Sequence, residues 1–146
     1  MCGDGDVSGN EVCDGESGCA SDCLSMTTAG AIASTDPVWP RNTSSCGAGS
    51  GEFHFDTQSF VWRGEARSVH FRAQWGGFDG YLHAFEGTFN PASPEAGCLA
   101  ADDDEGGTSA SAVTLSLVPG DRIDLVLSTF SAGTTGAWSL TITPAP

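Results

Sequence analysis

Arg67-Ser68-Val69-His70-Phe71-Arg72-Ala73-Gln74-Trp75 alternates polar and apolar side chains along its whole length. Val69, Phe71, Ala73 and Trp75 share one face, and Ser68, His70, Arg72 and Gln74 share the other. Successive strand side chains point to opposite faces, so the pattern marks a β-strand with one buried and one wet face. Gly76-Gly77 ends it. Working outward, the same period returns in Val113–Leu117, in Ile123–Ser128 and in Trp138–Ile142, with turns at Val118-Pro119-Gly120-Asp121 and Gly133–Gly136. Upstream, Phe53 and Phe55 flank His54 at the start of the regular region. Tyr81–Phe85 carries bulk on both faces, which suits a central strand or one that covers an interface. No window joins a helical period to good helix formers. The expected fold class is all-β, an antiparallel β-sandwich of about 7–8 strands, with a small disulfide-rich N-terminal appendage.

The composition restricts the partners. The 146 residues hold five arginines, no lysine and 19 acids, for a formal net charge of -14. Nucleic acid and anionic membranes carry the same sign and are excluded as partners. No apolar run nears the roughly 20 residues of a membrane-spanning helix, so no membrane insertion is expected. Met1 leads straight into Cys2, so an exported form is expected to be a processed piece.

Cys2, Cys13, Cys19, Cys23, Cys46 and Cys98 point to disulfides and an oxidising compartment. The four N-terminal cysteines lack the paired C-x-x-C spacing of a zinc site. They allow three pairings, among which the sequence does not choose. Cys46 and Cys98 are expected to bridge across the sandwich. Three units follow: a cysteine-rich head over 1–24, an extended linker or first strand over 25–50, and the sandwich over 51–146. The head has too little apolar content for a core of its own and needs its staples.

Two groups of oxygen donors suggest calcium as a cofactor. Asp4-Gly5-Asp6-Val7-Ser8-Gly9 matches the first half of an EF-hand loop, with oxygens at relative positions one, three and five and glycine at six. Position twelve is Gly15, so the match then breaks, although Glu11, Asp14 and Glu16 stand nearby. The second group is the adjacent run Asp102, Asp103 and Asp104. Adjacent carboxylates repel, and Ca²⁺ would relieve that repulsion with ligands it prefers. The bland alternative for both groups is a solvated acidic turn.

No catalytic motif is present: neither G-x-S-x-G nor H-E-x-x-H occurs, and no glycine loop leads to a lysine. His54, His70 and His83 each sit in an alternating strand, where a half-exposed histidine is commoner than a metal ligand. Trp62 and Trp75 are expected in the core rather than on a sugar platform. Asn42-Thr43-Ser44 fits an N-glycosylation acceptor.

Two resemblances extend this reading. Cys2-Gly3-Asp4-Gly5, Glu11-x-Cys13-Asp14 and Cys19-x-x-x-Cys23 make the head similar to the myxobacterial cysteine-rich repeat, with a shorter Cys13–Cys19 interval. That likeness implies an extracellular bacterial setting and a non-catalytic spacer or interaction module. Residues 50–143 resemble the bacterial pre-peptidase C-terminal domain through Asp79-Gly80-Tyr81-Leu82, Asp102-Asp103, Val118-Pro119-Gly120-Asp121 and Gly136-Ala137-Trp138-Ser139-Leu140-Thr141-Ile142. Such domains are β-sandwiches appended to exported enzymes. The likeness implies polymer binding with calcium assistance, and Asp79, Asp102 and Asp103 as ligands. The expected function is a non-catalytic, secreted or cell-surface, calcium-stabilised module for adhesion or accessory binding to a polysaccharide or protein polymer. The alternative is a self-assembling filament subunit, with Leu24–Val38 added as a strand to a neighbouring copy.

Overall fold

The computed structural model describes residues 2–105 and 107–145. Ten strands follow in chain order: β1 (Met26–Ile32), β2 (Val38–Trp39), β3 (Phe53–His54), β4 (Asp56–Val61), β5 (Arg67–Trp75), β6 (Gly80–Glu86), β7 (Cys98–Asp102), β8 (Ala110–Leu117), β9 (Arg122–Thr129) and β10 (Gly136–Pro144). They form two four-stranded antiparallel sheets, β1-β10-β5-β8 and β4-β9-β6-β7, and a short β2-β3 pair. The expected all-β architecture is present, with the two larger sheets making the sandwich.

The alternation places the core. Val69, Phe71, Ala73 and Trp75 of β5 are buried against Val113, Leu115 and Leu117 of β8 and against Leu140 and Ile142 of β10. Ile123, Leu125 and Leu127 face them from the second sheet. Trp62 and Trp75 are buried here, as expected. Gly80 opens β6 where the Trp75 ring lies so close that even a Cβ would collide with it.

The central strands of the second sheet, β6 and β9, are buried on both faces. Every residue of β6 but the last is buried, so its two bulky faces mark a central strand. A second apolar cluster of Trp39, Phe53, Phe55, Phe85, Phe89 and Val126 packs on the sheet's outer side. The segment 33–55, expected as linker and first regular residues, forms much of this cover. The Cys46–Cys98 disulfide ties it to β7, with a Cα–Cα distance of 5.8 Å. The bridge therefore pins a cover to an edge strand and does not cross between the two sheets.

The head shares the sandwich core. Its pairings are Cys2–Cys23 and Cys13–Cys19. Val7, Val12, Cys13 and Cys23 are buried in the same cluster as Trp62 and Val69. Arg63 reaches Glu16 at 2.8 Å, and Arg67 donates to the Gly9 carbonyl at 3.1 Å. A segment too poor in apolar residues for its own core has borrowed its neighbour's. Leu24–Val38, considered as a donor to another copy, supplies β1 and the first residue of β2 within its own chain. β1 pairs with β10 from Met26↔Ile142 to Ile32↔Gly136.

Candidate metal centre

The topology brings distant acids together. β6 and β7 pair antiparallel, with Leu82 opposite Asp102. The residue before β6 must then lie beside the residues after β7. Carboxylate oxygens of Asp79, Asp103 and Asp104 all fall within 4.8 Å of one another. Among the described residues this is the one such group made of carboxylates. The Asp79 backbone is pinned by the Phe130 N–H, which donates to its carbonyl at 3.0 Å. The Asp103 carbonyl accepts from the Ser111 hydroxyl.

Asp102 does not join the group. Its Oδ2 accepts the Ala112 N–H at 2.8 Å and fastens β7 to β8. Successive side chains along an extended chain diverge, so Asp102 and Asp103 serve different neighbours.

The electrostatics of the three acids are strained. Asp79 Oδ1 and Asp103 Oδ1 are buried without a hydrogen-bond partner. Burial first, then the charges of Asp104, Asp79 and Asp102, push the Asp103 carboxyl up to about 6, against a pull downward from Arg41. Burial and Asp104 raise Asp79 as well, again opposed by Arg41. Buried oxygen atoms without donors, crowded by like charge, are the donor set a hard divalent cation satisfies. The residues present thus fit Ca²⁺, with Asp79, Asp103 and Asp104 as the side chains that would hold it.

Arg41 is the residue that sequence reading missed. Its guanidinium lies 4.5 Å from the Phe53 ring centre and 4.2 Å from that of Tyr81. It donates to the carbonyls of Asn42 at 3.2 Å and Phe130 at 3.3 Å. Stacking between rings and carbonyl acceptors hold a cation beside the acidic group. A single arginine in a proline-flanked segment carries no sequence signal for this.

The head arranges its carboxylates differently. Asp14 accepts the backbone N–H groups of Gly3 at 2.5 Å, Asp4 at 3.1 Å and Gly5 at 2.6 Å. Gly3 and Gly5, at φ 82° and 97°, permit the turn that aims these amides at one carboxylate. Glu11 Oε2 accepts the Ser8 N–H at 3.1 Å, and Asp4 Oδ1 accepts the Asp6 N–H at 3.2 Å. Asp4, Asp6, Ser8, Glu11 and Asp14 therefore build a loop laced by its own amides. The close group of Cys13, Cys19 and Cys23 is disulfide sulfur, which is no metal ligand.

Two other expectations meet the structure here. His54, His70 and His83 do not converge: His54 contacts the Asp36 carbonyl, His70 contacts Thr114, and His83 is fully buried against the Asn42 carbonyl. Burial pushes the His83 ring down to about 4, which keeps it neutral among Tyr81, Phe85 and Trp39. The glycosylation reading of Asn42 is corrected. That residue is fully buried, and its amide donates to the Pro94 carbonyl, so the folded chain offers no acceptor there.

With the sandwich and its acidic corner in place, the likeness to solved structures is informative. In fold, the chain is similar to the pre-peptidase C-terminal domain of a collagenase from Bacillus anthracis. The TM-score is 0.52 at 14% identity, covering 82% of this chain and 90% of that one. The periplasmic g-type lysozyme inhibitor PliG of Aeromonas hydrophila aligns with TM-score 0.49 and 12% identity, over 84% of this chain and 87% of that one. No protein-family model and no curated protein matches the chain. At such identities the likeness concerns architecture. The three disulfides place the folded chain in an oxidising compartment.

Proposed function

We propose that the chain is a non-catalytic extracellular or cell-surface module, an accessory or adhesion domain of an exported protein, whose sandwich is stabilised by calcium at Asp79, Asp103 and Asp104. The observation that carries this reading is the pair of buried, partnerless oxygens on Asp79 and Asp103 within a group of three carboxylates. Ca²⁺ takes 6–8 oxygens, so three carboxylates and water suffice. The ion would lock the start of β6 to the end of β7. The similar collagenase domain and the six paired cysteines agree with an exported accessory role. The head's likeness to the cysteine-rich repeat supports a bacterial surface setting. The partner is a polysaccharide or protein polymer.

The test combines elemental analysis of purified protein with melting in calcium and then in chelator. Calcium should raise the midpoint, and Asp103→Ala should abolish most of that rise. An unchanged midpoint in the parent protein would end the calcium reading. Collagen and glycan pull-downs examine the partner, and uniformly blank panels would count against adhesion.

A further inference from the structure

We propose that the cleft between β7 and the second half of β8 is a docking edge for an extended peptide of another protein, apolar at alternate positions and basic at its ends.

The edge is half closed by the chain itself. β8 pairs only with β5, so its other side is an outer edge of the sandwich. Near its start that edge is occupied: the Ala110 carbonyl accepts the Glu105 N–H at 2.8 Å, and the Ala112 N–H donates to Asp102. These contacts show that even-numbered residues of β8 turn their backbone groups away from β5. By the two-residue period, Thr114 and Ser116 do the same. Their outward N–H and carbonyl groups take no backbone partner among the described residues. Bare edges of this kind are templates for strand addition.

The cleft beside this edge has the complementary chemistry. It is about 300 Å³ and is lined by Leu99, Leu115, Leu117 and Ile123, with Glu86 and Asp121 among its polar residues. Leu99 is 45% exposed, and Val118, immediately after β8, is 52% exposed. An added strand would hydrogen-bond to Thr114 and Ser116. Every second side chain would enter the gap between the sheets, which has room for aliphatic groups and not for a folded element. No cation lines the cleft, and two carboxylates do, so basic residues on the peptide are favoured. The chain does not supply this occupant itself. It has no lysine, its uncharged strand β1 is committed to β10, and the arginine-led β5 is central in its sheet.

The probe is the blocked heptapeptide Lys-Val-Thr-Val-Thr-Val-Lys at physiological salt, beside the same peptide N-methylated at its central amides. N-methylation removes strand pairing while leaving charge and side chains intact. Binding is read by calorimetry and by amide shifts in NMR spectra. The expected result is 1:1 binding with shifts centred on Thr114–Leu117, weakened at least tenfold by N-methylation. Ser116→Pro removes only an outward N–H and should also weaken binding at least tenfold, with a melting midpoint near the parent's. Glu86→Lys, at an exposed position, should weaken the lysine-ended peptide several-fold and favour a glutamate-ended one. Equal binding of the N-methylated peptide, shifts located elsewhere, or no binding at all would overturn the proposal. So would concentration-dependent self-association that Ser116→Pro abolishes, since a second copy would then be the occupant.

Discussion

Replacing Asp103 with asparagine should stabilise the metal-free protein at pH 7 and remove most of its response to calcium. The Asp103 carboxyl is raised from 3.8 to about 6 by burial and by neighbouring carboxylates. A folded-state value above the unfolded one means that the folded chain holds the proton more tightly. Stability from this group is therefore full below about 3.8 and is lost as pH rises through about 6. A rise of that size corresponds to about 3 kcal/mol if nothing screened it. Oδ1 is shut off from water but the side chain as a whole is only half-buried, and screening leaves about 1 kcal/mol. In a domain of this length that is about 2–4 °C. Asp103→Asn removes the charge at constant shape. In chelator at pH 7 the variant should melt about 2–4 °C above the parent, and near pH 4 the two should nearly coincide. In calcium the parent should gain and the variant should gain less than half as much. Differential scanning calorimetry over this grid of pH and calcium decides the matter. A variant that melts lower than the parent in chelator, or gains equally from calcium, refutes the reasoning.

Three further outcomes follow from the packing. Removing the Cys46–Cys98 bridge with paired serines should cost about 4 kcal/mol on the chain-entropy model, and urea titration should show it; an unmoved midpoint would mean the cover holds without its clasp. Gly80→Ala drives a methyl group into the Trp75 ring and should cost about 1–3 kcal/mol by overpacking, seen as a lower midpoint with unchanged far-ultraviolet dichroism. His83 has the opposite sign to Asp103: its folded-state value is depressed from 6.5 to about 4, so its contribution is present above about 6.5 and is lost as pH falls toward 4. His83→Phe should therefore move the acid-unfolding midpoint to lower pH, and an unchanged acid limb would contradict a neutral buried ring.

The strands that bury one face were legible because their side chains obey a period of two without interruption. Val69–Trp75, Val113–Leu117 and Trp138–Ile142 lie where that period puts them; β9 keeps the period at Ile123, Leu125 and Leu127 but buries Asp124, Val126 and Ser128 on its other face as well. β4 and β7 escaped the reading. Asp56-Thr57-Gln58-Ser59 offers no apolar alternation, and Cys98–Asp102 is a short edge strand that runs into the acidic residues. Their pairing depends on neighbours far along the chain, with Asp56 opposite Leu127 and Ala100 opposite Ala84. The outer cluster around Trp39 was half legible. Bulk on both faces of Tyr81–Phe85 required a cover, but nothing local named segment 33–55 as that cover. At the acidic corner, charge density singled out Asp102, Asp103 and Asp104, and the resemblance to the pre-peptidase C-terminal domain added Asp79. Only the register of β6 on β7 separates Asp102, spent on a backbone amide, from the other three.

The antiparallel pairing of β1 with β10 also has a mechanical consequence. Met26 lies opposite Ile142, so the two strands meet at their outer ends. Tension applied between those positions would open the ladder like a zip, one rung after another, and would not shear all rungs at once. Resistance would then rest with the head, whose cross-linked turns are wedged against Trp62 and bonded to Arg63 and Arg67. In a molecule under flow, that wedge would set the load at which the first sheet begins to come apart.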